Sequence, residues 1–179
     1  MYEAFIIHFG PGIKTMGVTK GYVLYVDPIW LLSDPDINGD DGHEYLGADL
    51  LHECGHVLRD LERLDAVAEW FMNKGFDKKK AQEWANRAGD VCINDDIIKQ
   101  GLKMHKWVLT SDTYGSPPGL SMEGVAEWLY NNQEKVEEKS GQSEKDGEGE
   151  QGMPGDPNGD PRQQRIGGGC CGGIAGNPD

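Results

Sequence analysis

The sequence predicts an α+β fold: an N-terminal β-hairpin or small sheet packed on two or three long helices, followed by a disordered acidic and glycine-rich C-terminal tail. Three observations predict it. Residues 2–26 alternate β-branched and aromatic residues with Gly and Pro breaks, the pattern of short strands. From Gly47 the apolar period lengthens to that of a helix. Beyond residue 139 apolar residues nearly vanish and 12 of the 26 glycines fall within 141–179, so that stretch cannot bury enough surface to offset its ordering entropy. The expected division is a folded domain over 1–139 and a tail or linker over 140–179.

In chain order, residues 2–9 read as a strand ended by Gly10-Pro11-Gly12. Residues 15–19 and 22–26 then form a hairpin about Lys20-Gly21, closed by Asp27-Pro28. Ile29 to Leu32 fits one helical turn. The segment from Asp34 through Asp36, Asn38 and Gly39 opens like a calcium loop, but the closing bidentate Glu would fall on Tyr45. An acidic loop leading into a helix is the simpler expectation, and Ca²⁺ at Asp34, Asp36 and Asn38 is disfavoured.

A helix over 47–73 follows, with an apolar stripe of Leu50, Cys54, Val57, Leu61, Leu64, Ala68 and Phe71. Gly75 ends it and Asp77 caps the next helix, over 78–100. That helix buries Ala81, Trp84, Ala85, Ala88, Val91 and Cys92. Its other side carries Asn86, Asp90 and Asn94 at i, i+4 and i+8, bordered by Ile93 and Ile97. Residues 101–119 read as a loop with His105, Trp107, Asp112 and Tyr114. Ser121 then caps a third helix through Val125, Leu129 and Val136.

The chemistry concentrates in His52-Glu53-Cys54-Gly55-His56. On a helix, residues four apart share a side, so His52 and His56 can direct two ring nitrogens at one cation, with Zn²⁺ the natural choice. Glu53 stands one step round, placed to take a proton from water. His52 and His56 lie off the centre of the apolar stripe, as on a helix whose back packs on a core and whose edge faces a cleft. A hydrolytic site needs a third ligand. A third His ten residues after the first is absent, because Glu62 stands there. Asp90, His105 and Asp112 are candidates, with Glu62 and Asp65 behind them. Asp90 is preferred because a packed helix holds a short carboxylate rigidly, and Asn86 and Asn94 could orient it from one turn either side. His105 or Tyr114 could supply an oxyanion donor. Trp70, Trp84 and Trp128 read as core.

Residues 15–28, the His-Glu-x-x-His helix, Asn86-Arg-Ala-Gly-Asp-Val-Cys-Ile-Asn94 and Gly119-Leu-Ser-Met-Glu123 occur in an order that resembles the metallopeptidase domain preceding a von Willebrand factor A-like domain in bacteria and their phages. The resemblance covers roughly residues 15–132, and the Asn-x-Ala-x-Asp-x-x-Ile-Asn block is its most specific part. It implies a zincin-like fold, zinc on His52, His56 and Asp90, Glu53 as catalyst, and a hairpin edge beside the cleft. The chain departs from it in having only about a dozen residues before the hairpin and no downstream domain. The Gly167–Gly173 segment around Cys170 and Cys171 resembles the glycine-rich junction between the two family domains.

The net charge of −14 disfavours nucleic acid and anionic membrane as partners, since both repel an acidic surface. With no apolar run of membrane-spanning length and no signal-like N-terminus, the expected location is cytoplasmic. The four cysteines do not form a disulfide-framework pattern. The expected function is a zinc-dependent peptidase acting on a protein or peptide. The alternative is a catalytically silent zinc-binding module acting with a partner, such as a von Willebrand factor A-like domain. A third idea has Cys170 or Cys171 capping the zinc.

Overall fold

The structure, a computed structural model, describes residues 6–19 and 21–137, and the side chains of residues 60–62 are not among those described. The expected tail, with Cys170 and Cys171, and the first residues of the expected first strand lie outside the described residues.

Strands β1 (Ile6–Phe9), β2 (Met16–Val18) and β3 (Val23–Val26) form a sheet of order β1-β3-β2. β2 and β3 are the expected antiparallel hairpin, in the register Met16↔Val26 and Val18↔Leu24, while β1 joins β3 in parallel. β1 exposes all four residues, whereas β2 buries all three. Asp27 follows β3 and organises the next corner. Its carboxylate accepts from the backbone N–H groups of Gly12, Lys14 and Ile29, the last capping α1 (Pro28–Ser33), which carries Pro at its first turn.

The chain then reaches α2 (Gly42–Gly55), which starts five residues earlier than the apolar pattern suggests. Gly42 has no alternative there: a Cβ would lie 1.7 Å from the Ile37 carbonyl oxygen. After α2 comes a π-helical turn, His56–Asp60, and then α3 (Leu61–Asn73). The expected single helix is therefore two, and the stripe drawn through it is wrong at its upstream end. A π-turn inserts one residue, which rotates the following face by about 100°. Leu64, Ala68 and Phe71 are buried as expected, but Leu50 is 38% exposed and Ala48, His52, Glu53 and His56 are buried in its place. The motif histidines thus lie inside the packed face and not on its edge.

Gly75 (φ 96°) breaks the chain, and the Asp77 side chain accepts from Lys80 N–H to begin α4 (Lys78–Lys99). The stretch read as a loop contains a short helix, α5 (Ser111–Tyr114), with a Thr110–Thr113 capping box. α6 (Met122–Asn131) starts at the Ser121 cap as expected. α3, α4, α5 and α6 enclose the main core of Phe71, Trp84, Ala88, Val91, Tyr114, Val125 and Leu129, with Trp70 and Trp128 packed at its edge. A second cluster joins Met16, Val18, Leu24 and Val26 to Trp30, Leu31, Leu46 and Val57. A third joins Ala48 to Ile93 and Ile97. α2 and the π-turn sit where these clusters meet, between β2 and α4. No described helix is long and apolar enough to cross a membrane.

Candidate metal centre

Three elements bring the site together. α2 carries His52 and Glu53, the first residue of the π-turn is His56, and the middle of α4 carries Asp90. Helices α2 and α4 meet closely because residue 55 is glycine: a Cβ there would lie 2.8 Å from Ile93 Cγ2. Any larger residue would have to displace the Ile93 side chain, one turn along α4 from Asp90.

His52 Nε2 and His56 Nε2 are 2.9 Å apart, and Asp90 Oδ1 lies 3.1 Å from the second and 3.6 Å from the first. Ligand atoms set tetrahedrally around Zn²⁺ at its usual bond lengths stand about 3.3 Å apart. The three sides of this triangle straddle that value. All three residues are buried, as is Glu53. Among the described residues this is one of two groups of His and carboxylate atoms close enough to hold an ion.

The protonation pattern follows from the surroundings. Asn94 Nδ2 donates to the Leu109 carbonyl at 2.8 Å, which turns Asn94 Oδ1 toward His52 Nδ1 at 2.6 Å. His52 Nδ1 therefore carries a hydrogen, which leaves Nε2 as the nitrogen that can present a lone pair to the triangle, as a metal ligand requires. Asn86 Nδ2 donates to Asp90 Oδ2 at 3.3 Å, so the other oxygen, Oδ1, faces the histidines. Asn86 orients the carboxylate as expected. Asn94 does not: its partner is His52, because residue 94 lies one turn further along α4, beside the earlier turn of α2.

Protons alone leave this arrangement incomplete. His56 Nδ1 and Glu53 Oε2 are buried without a hydrogen-bond partner among the described residues, and such atoms are rare in folded proteins; Asp90 Oδ1 faces the ring nitrogens of His56 and His52. Burial would raise the Asp90 carboxyl, but the two imidazoles beside it prevail and hold it down at about 2. Burial pushes Glu53 up to about 7, against the opposing pull of His52 and His56, and the Val18 backbone N–H donates to its carboxylate. A cation held by His52 Nε2, His56 Nε2 and Asp90 Oδ1 would take the place of the protons shared among them. The donor set, two imidazoles and a carboxylate, fits zinc and other divalent transition metals.

Val18 lies on the outer strand of the hairpin. The Thr19 N–H to Val23 O and Asp27 N–H to Thr15 O bonds set the alternation, so the main-chain groups of Thr15, Gly17 and Thr19 face β3 and those of Met16 and Val18 face away. Glu53 thus holds the outward edge of β2, a contact that no sequence pattern signals.

The remaining candidates lie elsewhere. Asp65 and Asp112 are exposed, and the Glu62 side chain is outside those described. Tyr114 packs in the main core. His105 is neither a ligand of this triangle nor an oxyanion donor, because both its nitrogens are engaged: Nδ1 with Asp36 Oδ2 at 2.9 Å and Nε2 with Asp49 Oδ2 at 3.1 Å. Asp34 Oδ1 accepts from the N–H groups of Asp36 and Ile37, and Asn38 donates its amide to Leu31 O and Asp34 O. The calcium-like segment is an acidic turn whose second Asp meets His105, and Asp34, Asp36 and His105 are the second group close enough to hold an ion. That role was missed; the signal was a string of Asp in one loop and a lone His in another.

No protein-family model, curated protein or solved structure matches this chain.

Proposed function

We propose that the protein is a zinc-dependent peptidase with His52, His56 and Asp90 as ligands and Glu53 as general base. The observation that carries it is the triangle of inward-facing donor atoms, spaced as zinc ligands are, beside a buried carboxylate of raised pKa. Zinc, when bound, would polarise a carbonyl and acidify water. The chain's own residues supply the rest. Glu53 Oε2 has no hydrogen-bond partner in the described chain and can accept a proton from water, then return it to a leaving amine. The resemblance of residues 15–132 to a bacterial and phage metallopeptidase domain supports the same assignment.

The test is elemental analysis of the purified chain, followed by a peptide-library digest. One zinc per chain is expected, with cleavage slowed by about 10²–10⁴-fold in Glu53→Gln while zinc is retained, the usual contribution of a general base. Undiminished cleavage by Glu53→Gln would remove the proposal.

A second reading has one observation in its favour. His52, Glu53, His56 and Asp90 are each 3% exposed or less, whereas a catalytic metal keeps an open position. This favours a metal-stabilised interaction module, acting with a partner such as a von Willebrand factor A-like domain. It expects zinc removal to unfold the chain and Glu53→Gln to leave every activity of the protein unchanged.

A further inference from the structure

We infer that His105 is a positioning residue for the metal centre, acting through the loop it anchors, the Leu109 carbonyl and Asn94 on His52. The inference rests on the metal reading of the triangle.

The path is continuous. His105 is buried and clamped between Asp36, in the turn before α2, and Asp49, on α2 itself one turn before His52. The Trp107 ring stacks on its imidazole at 4.9 Å and the Tyr45 ring lies against it at 5.1 Å. His105 therefore ties the segment after α4 back onto α2. Four residues on, the Leu109 carbonyl accepts from Asn94 Nδ2. That bond decides which end of the Asn94 amide meets His52, and so which His52 nitrogen carries the hydrogen. If the Leu109 carbonyl moved away, the amide could turn over and present Nδ2 to the ring. The lone pair would then be drawn to Nδ1 and away from the triangle.

His105 can hold both carboxylates only by donating from both nitrogens. Desolvation opposes that charge, but the bonds to Asp49 and Asp36, with Asp34 adding its charge, outweigh it and raise the group to about 9. At neutral pH it is an imidazolium, which glutamine cannot imitate, because a side-chain amide has one donor end. The loop has another fastening, the Ser111 N–H bond to Asp95 Oδ1 at 3.0 Å. Loss of His105 should therefore displace Leu109 without unfolding the loop.

The experiment is Co²⁺ titration of the full chain, followed by d–d absorption, for the parent, Asn94→Ala, His105→Gln and the double variant, with the unfolding of each metal-free protein measured alongside. Removal of the Asn94 partner should weaken binding about 10–100-fold. His105→Gln should weaken it about 5- to 10-fold and shift the absorption band as Asn94→Ala does. The double variant should bind within about threefold of Asn94→Ala alone, since residues acting in series do not add. Asp49→Asn, which weakens the α2 end of the clamp, runs through the same cycle if His105→Gln does not fold. A double variant whose loss equals the product of the single losses overturns the inference, as does a parent-like affinity and band in His105→Gln. Two cobalt ions per chain, one of them lost with His105, also overturn it, because His105 would then be a ligand. A parent chain that binds no metal instead removes the metal reading itself.

Discussion

Two clusters built from the same residue types, one buried throughout and one buried only at its histidine, behave in opposite ways. At His52, His56 and Asp90, two ring nitrogens and one carboxylate oxygen face one another. At Asp36, His105 and Asp49, one imidazole stands between two carboxylates and donates to both. In the second cluster the histidine is the cation, and each ring nitrogen has a partner. In the first, an outside amide fixes the His52 hydrogen on the far nitrogen, and His56 Nδ1 and Glu53 Oε2 have no hydrogen-bond partner among the described residues. Where the protons of clustered His and Asp residues are held is thus set in part by residues outside the cluster.

Breaking each cluster separates the two. Asp90→Ala should weaken zinc more than about a hundredfold, beyond the effect of losing an outer partner such as Asn94, while Asp36→Asn should leave zinc bound. Elemental analysis after dialysis against a weak chelator distinguishes them, and zinc retained by Asp90→Ala would move the third ligand elsewhere.

Gly55→Ala tests how the first cluster depends on helix spacing. A Cβ 2.8 Å from Ile93 Cγ2 should cost about 1–3 kcal/mol in denaturant unfolding. It should also weaken zinc binding, because Asp90 rides on the same helix as Ile93. Ile93→Ala, by making room, should restore part of the zinc affinity in the double variant. The His105 cluster does not include α4 and should be unaffected.

The smallest effect concerns pH. His105 is raised in the folded protein, so its stabilisation is fully present below its unfolded value of about 6.5 and is lost as pH rises through about 9. Asp36 is 44% exposed, so solvent screening reduces the effect to about 1–2 kcal/mol. Urea unfolding of metal-free protein at pH 7 and pH 10 should show a decline that is smaller in His105→Gln. Equal declines in parent and variant would deny His105 its imidazolium role.

Much of this was legible in the sequence where the deciding forces are local. The Asp77 and Ser121 caps, the Gly75 break and the β2–β3 hairpin each follow from a few adjacent residues. The pairing of His52 with His56 follows from the rise of one helical turn. Asp90 needed more, a polar stripe bordered by isoleucines and a resemblance in motif order. The π-turn was hidden because the apolar stripe ran on through it, and only the exposure of Leu50 betrays the shift. The partners of Asn94, Val18 and His105 were not legible, since each lies across an interface between elements.

The sequence by itself determined which groups were available for chemistry: two histidines and a glutamate on one helix, and an aspartate flanked by asparagines on another. Tertiary structure alone decided what they do to one another. Local spacing sets which side chains share a face, whereas the hydrogen on His52, the freedom of Glu53 Oε2 and the cation between Asp36 and Asp49 depend on ångström-scale contacts between distant segments. Hydrogen bonds and charges act over those lengths, and no periodicity along the chain encodes them.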